Sequence, residues 1–246
     1  MSGLTGKVAL VTGGSRGIGA AIARKLAADG AAVAITYQNR DVQAKAVVAE
    51  IESAGGRAVA YRADSADAAE VVRAVHQTAS DLGRLDILVN NAGIFPAKPF
   101  EEFTVDEIDR ALHIHARAAF VGAQAAVAHM SDGGRIVSVG SNLSEHAPFA
   151  GLSLYNLSKS ALNGFTKALA RELGPRGITV NLLQPGSTVT DMNPVDGGHY
   201  DLQVQLSALG HFAAPQDMAA MVAFLAGDTG RSVTGATFTV DGGTNA

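Results

Sequence analysis

The chain has 246 residues, 47% of them hydrophobic and 17% charged, with a net charge of −4 and no cysteine. That balance argues against an electrostatic nucleic-acid binder, and the missing cysteines exclude disulfides and thiolate metal sites; no metal is expected. No apolar run approaches the ~18 residues of a membrane span, and the first predicted strand starts by Lys7, leaving no room for a signal peptide; the expected location is the cytoplasm.

Lys7-Val8-Ala9-Leu10-Val11-Thr12 is a short apolar, β-branched run that reads as a buried strand. Thr12-Gly13-Gly14-Ser15-Arg16-Gly17-Ile18-Gly19 follows at once and opens a helical pattern through Leu26. Strand, glycine-rich turn and helix form the setting in which such a loop binds a dinucleotide. The glycines let backbone N–H groups approach a pyrophosphate, and the helix N-terminus adds partial positive charge. The spacing is Gly-x3-Gly-x-Gly, not the commoner Gly-x-Gly-x2-Gly; a turn needed only for tight strand–helix packing is the alternative. Further strands are predicted at 32–37, 57–61, 86–90, 134–140, 178–183 and 236–240. Helices are predicted near 17–29, 40–54, 67–82, 104–130, 153–174 and 215–226. This alternation predicts an α/β fold, a doubly wound (Rossmann) parallel sheet of about seven strands with helices on both faces. No linker, repeat or low-complexity tract divides it, so 1–246 is read as a single domain.

The second strand bears on cofactor choice. An NAD binder places a carboxylate about 20 residues beyond the glycine loop to accept the ribose hydroxyl. Here Ile35-Thr36-Tyr37-Gln38-Asn39-Arg40 carries no acid before Asp41. Arg16 and Arg40 are the candidate partners of a 2′-phosphate, since guanidinium forks suit phosphate oxygens. NADP(H) is therefore expected over NAD.

The fifth strand ends at Ser141, and Tyr155-Asn156-Leu157-Ser158-Lys159 follows on the next helix. Residues i and i+4 share a helix face, so Lys159 lies beside the phenol of Tyr155. A free phenol has a pKa of about 10, and a cation beside it stabilises the phenolate, which brings Tyr155 within reach of acid–base work. The one long departure from regular alternation is Ser187 to Pro215, with Asn193-Pro194-Val195-Asp196-Gly197-Gly198 before a short helical pattern at 200–209. A connection this long predicts a substrate lid over about 187–213, a loose surface excursion being the alternative. Leu202, Val204, Leu206 and Leu209 are its candidate apolar cover, and the Gly197-Gly198 pair its point of rotation.

Taken together, these residues resemble the short-chain dehydrogenase/reductase family, and within it the 3-oxoacyl-[acyl-carrier-protein] reductase-like members. The resemblance rests on Thr12-Gly13-x3-Gly17-Ile18-Gly19, Asn90-Asn91-Ala92-Gly93, Ser141, Tyr155-x3-Lys159 and Pro185-Gly186, in family order across almost the full length. It implies hydride transfer between a nicotinamide and a carbonyl carbon, with Ser141, Tyr155 and Lys159 catalytic. Ser141 would hold the carbonyl oxygen, Tyr155 would give or take the proton, and Lys159 would bind the nicotinamide ribose and depress the tyrosine pKa. The implied cofactor contacts are Gly13, Ser15, Arg16, Gly17, Ile18, Gly19, Tyr37 and Arg40, then Asp64 and Ser65 near the adenine, with Asp64 equally readable as a turn residue. Asn91, Ala92 and Gly93 belong to the ribose side, together with Tyr155 and Lys159, and Pro185, Gly186, Thr188 and Thr190 to the nicotinamide.

Two departures stand out. The family serine usually precedes its tyrosine by thirteen residues, whereas Ser141 precedes Tyr155 by fourteen, which implies a longer loop and leaves Ser144 as the other candidate. His115 aligns with a family Asn whose backbone carbonyl serves a proton relay, while His113 reads as an ordinary helix residue. The expected substrate is a small ketone or secondary alcohol. The enzymatic rival is 3-oxoacyl-[acyl-carrier-protein] reductase, disfavoured because His129-Met130-Ser131-Asp132-Gly133 lacks basic residues for an acidic carrier, although Arg171 and Arg176 remain. A non-catalytic NADP-sensing protein is the third reading. Relatives pair the helices near 104–130 and 153–174, here rich in small residues, so a homotetramer is expected.

Overall fold

A computed structural model describes residues 3–196 and 198–246. Seven parallel strands form one sheet: β1 (Val8–Val11), β2 (Ala32–Tyr37), β3 (Arg57–Arg62), β4 (Ile87–Asn90), β5 (Arg135–Val139), β6 (Thr179–Pro185) and β7 (Thr237–Val240). Their spatial order is β3-β2-β1-β4-β5-β6-β7, so the chain leaves β1 toward one edge and resumes beside it with β4. That reversal is the topological switch point of an open α/β sheet, where a crevice opens beyond the carboxyl ends of the strands. All seven predicted strands form. β1, β4, β5 and β6 are buried along their whole lengths, as central strands covered on both faces must be.

The helices are α1 (Gly17–Ala28), α2 (Asp41–Ser53), α3 (Ala68–Leu82), α4 (Val105–Leu112), α5 (Ala118–Val127), α6 (Ser153–Leu173), α7 (Tyr200–Leu206) and α8 (Pro215–Ala226). One core cluster joins Ile22, Leu26, Val47, Ile51 and Met218 of α1, α2 and α8 to one face of the sheet. A second joins Val75, Leu82, Ala123, Ala126 and Ala170 of α3, α5 and α6 to the other. Helix starts follow their capping residues. Asp67 accepts from the backbone N–H of Ala69 and Glu70 at the head of α3, and Thr104 and Glu107 form a reciprocal box at the head of α4.

The helix expected over 104–130 differs from expectation. A π-helical turn, His113–Arg117, interrupts it, and α5 ends at Val127. Such one-turn insertions bulge the helix and free backbone groups, and the apolar periodicity gives no sign of this one. The helical pattern at 200–209 is realised only as Tyr200–Leu206, and Gly197 lies outside the described residues. Among the described residues no helix is long and apolar enough to cross a membrane, and no three His, Cys, Asp or Glu side chains cluster to hold a metal.

Candidate active site

The turns after β1 to β6 all open on one cavity of about 670 Å³ at the carboxyl ends of the strands, and every candidate site residue lines it. At its first end, backbone does most of the work. The Thr12 hydroxyl accepts from the N–H groups of Asn91 (3.0 Å) and Ala92 (3.1 Å). The Asn91 amide donates back to the carbonyls of Thr12 (2.8 Å) and Gly13 (3.2 Å). These bonds tie the turn after β1 to the turn after β4 and occupy the loop's carbonyls, leaving the first N–H groups of α1 facing the cavity without helical partners. Gly17 holds φ +53°, in the left-handed region, and a Cβ on Gly19 would stand 2.5 Å from the Asn91 amide nitrogen. Glycine is required at both positions. Unpaired N–H groups, a helix N-terminus and space that only glycine leaves open fit the phosphates of a dinucleotide.

The next wall decides the ribose. Asp41, the first acid after β2, is engaged by the Tyr37 hydroxyl at 2.8 Å and by Lys45 at 2.8 Å. Arg40 and Arg16 line the cavity, and Arg16 Nη1 pairs with Asp191 at 3.2 Å. Asp64 also lines it, but its carboxylate accepts from the Ala66 N–H (2.8 Å) and the Gln38 amide (2.6 Å), so it is a turn residue as well. Pro185 ends β6 and Gly186 follows it; a Cβ on Gly186 would stand 2.5 Å from Asp241 Cα. Thr188 is buried and donates to the Gly186 carbonyl at 3.0 Å, and Thr190 packs toward Gly17.

At the other end stand Ser141, Tyr155 and Lys159, all buried. The Ser141 hydroxyl bonds to the Tyr155 phenol and lines the cavity, whereas Ser144 does not reach it. A 3₁₀ turn, Asn142–Ser144, follows Ser141. The C-terminal segment braces that turn: Asn245 donates its amide to the Asn142 carbonyl at 2.9 Å.

The electrostatics correct one expectation. Burial pushes the Tyr155 phenol above its usual value of 10, with the bond to Ser141 pulling the other way. The Lys159 ammonium donates to the Val139 carbonyl at 2.9 Å, and burial lowers it to about 8. Among protein groups alone, desolvation of the phenol outweighs any help from Lys159. The proton therefore stays on Tyr155 at neutral pH, the form that acts as an acid.

The substrate side contains residues the sequence did not single out. Phe95 meets the Tyr155 ring edge-on with centroids 4.7 Å apart, and Phe149 and Met192 complete an apolar wall. Phe95 stands two residues beyond Gly93, a position from which it was legible; Phe149 and Met192 carry no local signal. Of the four proposed lid residues, only Leu206 lines the cavity. Leu202 is 47% and Leu209 66% exposed, and Val204 also stands outside the lining. The 187–206 segment is tied by Ser187 to Gln203 (2.6 Å) and Asn193 to Gln203 (3.0 Å), which turns the α7 face carrying Leu206 inward.

The comparisons agree with this geometry. Residues 13–245 match the family described as enoyl-(acyl carrier protein) reductase. A short chain dehydrogenase from Burkholderia cenocepacia J2315, solved in complex with NADP, is 57% identical, covers 99% of this chain and 100% of its own, and superposes with a TM-score of 0.98. A blue fluorescent protein from a metagenomic library, solved with NADPH, is 55% identical over 99% and 100% of the two chains, also with a TM-score of 0.98. The cyclic-di-GMP-binding biofilm dispersal mediator protein of Escherichia coli (strain K12) is 43% identical over 98% of both chains. With seven parallel strands, a glycine-rich turn at the switch point and a serine, tyrosine and lysine at its far end, the chain belongs to the short-chain dehydrogenase/reductase family.

Proposed function

We propose that the protein is an NADP(H)-dependent oxidoreductase that moves a hydride between the nicotinamide and a small ketone or secondary alcohol. The observation that carries this reading is one cavity joining the glycine loop and two arginines at one end to Ser141, Tyr155 and Lys159 at the other. When bound, the nicotinamide supplies or accepts the hydride; the remaining work falls to this chain. The glycine loop and the α1 N-terminus hold the pyrophosphate, Arg16 and Arg40 hold the 2′-phosphate, and Lys159 holds the ribose. Ser141 donates to the carbonyl oxygen, and Tyr155 protonates it as negative charge develops there. Phe95, Phe149, Met192 and Leu206 exclude water and favour an apolar substituent.

The carrier-protein reading loses further ground. Arg176 donates to the carbonyls of Val127 and Met130, at the amino ends of the strands, away from the cavity. Arg171 stands sixteen residues beyond Tyr155 on α6, about 24 Å along the helix axis. On the segment that follows Phe95, a residue of the cavity wall, the chain instead exposes Glu101, Glu102 and Asp106. An acidic carrier meets like charge there. Kinetics with a panel of ketones, alcohols and acyl carrier protein conjugates, followed by nicotinamide absorbance with both cofactors, tests the reading. Turnover of small ketones with NADPH supports it. NADPH binding with no turnover on any substrate would leave the non-catalytic sensing reading, for which the E. coli relative gives cyclic-di-GMP as the ligand to try.

The same reading includes a homotetramer. Phe120 on α5 and Leu157 on α6 are 55% and 58% exposed, and Phe120 packs on Phe165 with ring centroids 5.6 Å apart. These form an apolar face on the two helices that a two-fold partner covers. Light scattering that returned a mass near 25.1 kDa at micromolar concentration would refute it.

A further inference from the structure

A buried titratable side chain beside the site has no part in the chemistry above. His115, 2% exposed, sits in the middle of the π-helical turn between α4 and α5. Its Nε2 accepts from the Ile94 N–H at 3.0 Å, so that nitrogen carries no proton. Its Nδ1, 2.8 Å from Ser158 Oγ, therefore holds the ring proton and donates it. The Ser158 hydroxyl donates in turn to the backbone carbonyl of Tyr155 at 2.9 Å. Three hydrogen bonds run in one direction, from the loop after β4, through the imidazole, to the helical turn that carries the proton donor.

The surroundings leave this ring no other state. It meets the Tyr155 ring edge-on, with centroids 5.9 Å apart and planes at 88°. A Cβ on Gly93 would stand 3.3 Å from both His115 Nε2 and Lys159 Nζ, so imidazole, ammonium and loop close on one point. Burial and the Lys159 ammonium push His115 down to about 2. Among the described residues, the titratable groups that face it are Lys159 and Tyr155, both on α6, and the loop side offers the backbone of Gly93 and Ile94. The ring stays neutral across the working pH range, so the bonds it makes do not titrate.

We propose that His115 is a positioning residue whose single neutral tautomer clamps loop 91–94 to α6 and so sets the spacing between the nicotinamide side of the cavity and Tyr155. The inference rests on the oxidoreductase reading for its kinetic consequence. Its two halves are separable by isosteric variants. His115→Gln places an amide oxygen near the Nε2 position, which keeps the bond from Ile94 and loses Ser158. His115→Asn reaches only the Nδ1 position, which keeps Ser158 and loses Ile94. Ser158→Ala cuts the second link without touching the ring.

The experiment measures NADPH affinity by fluorescence titration, kcat and KM for a ketone, amide exchange at Ile94, and Tm, for wild type and all three variants. His115→Asn is expected to weaken NADPH several-fold and speed exchange at Ile94. His115→Gln and Ser158→Ala are expected to keep NADPH affinity within about twofold while kcat falls about tenfold at nearly constant KM, the scale of one hydrogen bond. Equal losses of Tm in all three, with kcat and affinity unchanged, would show a purely structural histidine and overturn the proposal. So would identical behaviour of His115→Gln and His115→Asn. If the histidine variants fail to fold, Ser158→Ala decides on its own kcat. If wild type turns over no ketone, the oxidoreductase reading fails, and the clamp is judged on NADPH affinity and Ile94 exchange alone.

Discussion

The two ends of the cavity are built by different means. At the glycine-loop end, backbone and short side chains from neighbouring turns do the work: Thr12, Asn91 and the α1 N-terminus. At the Tyr155 end, the wall is made of long side chains from segments far apart in the chain: Phe95, Phe149, Met192 and Leu206. The first end reads a pyrophosphate, which is the same in every dinucleotide, so a rigid, backbone-lined mould suffices. On the proposed function, the second end reads the group that flanks the carbonyl, so side chains from separate segments carry the choice. Substitutions should therefore behave differently at the two ends, and the residues between them should affect both.

The largest effect belongs to Tyr155, the acid of the proposed mechanism. Tyr155→Phe should lower kcat by roughly 10²- to 10⁴-fold, the usual worth of a positioned acid, with NADPH affinity and Tm nearly unchanged. Turnover within tenfold of wild type would break the assignment.

Lys159 stands at the Tyr155 end and, on the proposed function, also holds the ribose, so Lys159→Met should damage kcat and NADPH affinity together. Stability should move the other way with pH. The ammonium is lowered from 10.5 to about 8 in the fold. Between those values the unfolded chain binds the proton that the folded chain has lost, so folding stability rises with pH across that window. The difference is on the order of 3 kcal/mol at about 1.4 kcal/mol per pKa unit, and Lys159→Met should remove that rise. Denaturant titrations of both proteins at pH 7.5 and 10 are the check; parallel pH slopes would mean that the ammonium is not desolvated.

Why the glycine-loop end was legible in the sequence, and the other less so, follows from the same contrast. Gly13, Gly17 and Gly19 adjoin β1, and the backbone they require is local, so residue type alone declares it. Tyr155 and Lys159 were legible because a helix carries i and i+4 on one face. The π-helical turn at His113–Arg117 was not, since it arises from packing rather than periodicity. The same holds for the direction of the Tyr155 shift, which burial sets and which no spacing of residues reports. The 187–213 segment stood out by its length, but of its four apolar candidates only Leu206 lines the cavity: in a helix of seven residues, anchored by Gln203 to Ser187 and Asn193, hydrophobicity does not say which side turns inward.

Cofactor choice gives the next effect in size. Wild type should prefer NADPH over NADH, and Arg16→Ala combined with Arg40→Ala should narrow the gap by about 10- to 100-fold, since a charge-assisted contact is worth roughly 1.5–3 kcal/mol. The loss should appear with NADPH and not with NADH. Because Arg16 also pairs with the largely exposed Asp191, part of its charge is already spent on a contact worth little in water. Equal efficiency with both cofactors in the wild type would show that the arginines are merely solvated.

The smallest effect sharpens the comparison at the substrate end. Leu206 and Met192 line the cavity, whereas Leu202 and Leu209 face outward. Leu206→Ala and Met192→Ala each withdraw part of an apolar wall, a loss of about 1 kcal/mol at the usual worth of buried apolar surface. KM for a ketone with a bulky apolar substituent should rise about fivefold, with kcat and NADPH affinity little altered. For a ketone carrying only methyl groups the change should nearly vanish, because such a substrate never reaches the wall. Leu202→Ala and Leu209→Ala should leave both substrates unaffected. If the outward pair raised KM as much as the inward pair, the lid would have to rotate about its own axis on closing, and the α7 face seen here would not be the one that meets substrate. If all four were silent, selectivity would rest on Phe95 and Phe149, and the 187–213 segment would be packing rather than a lid.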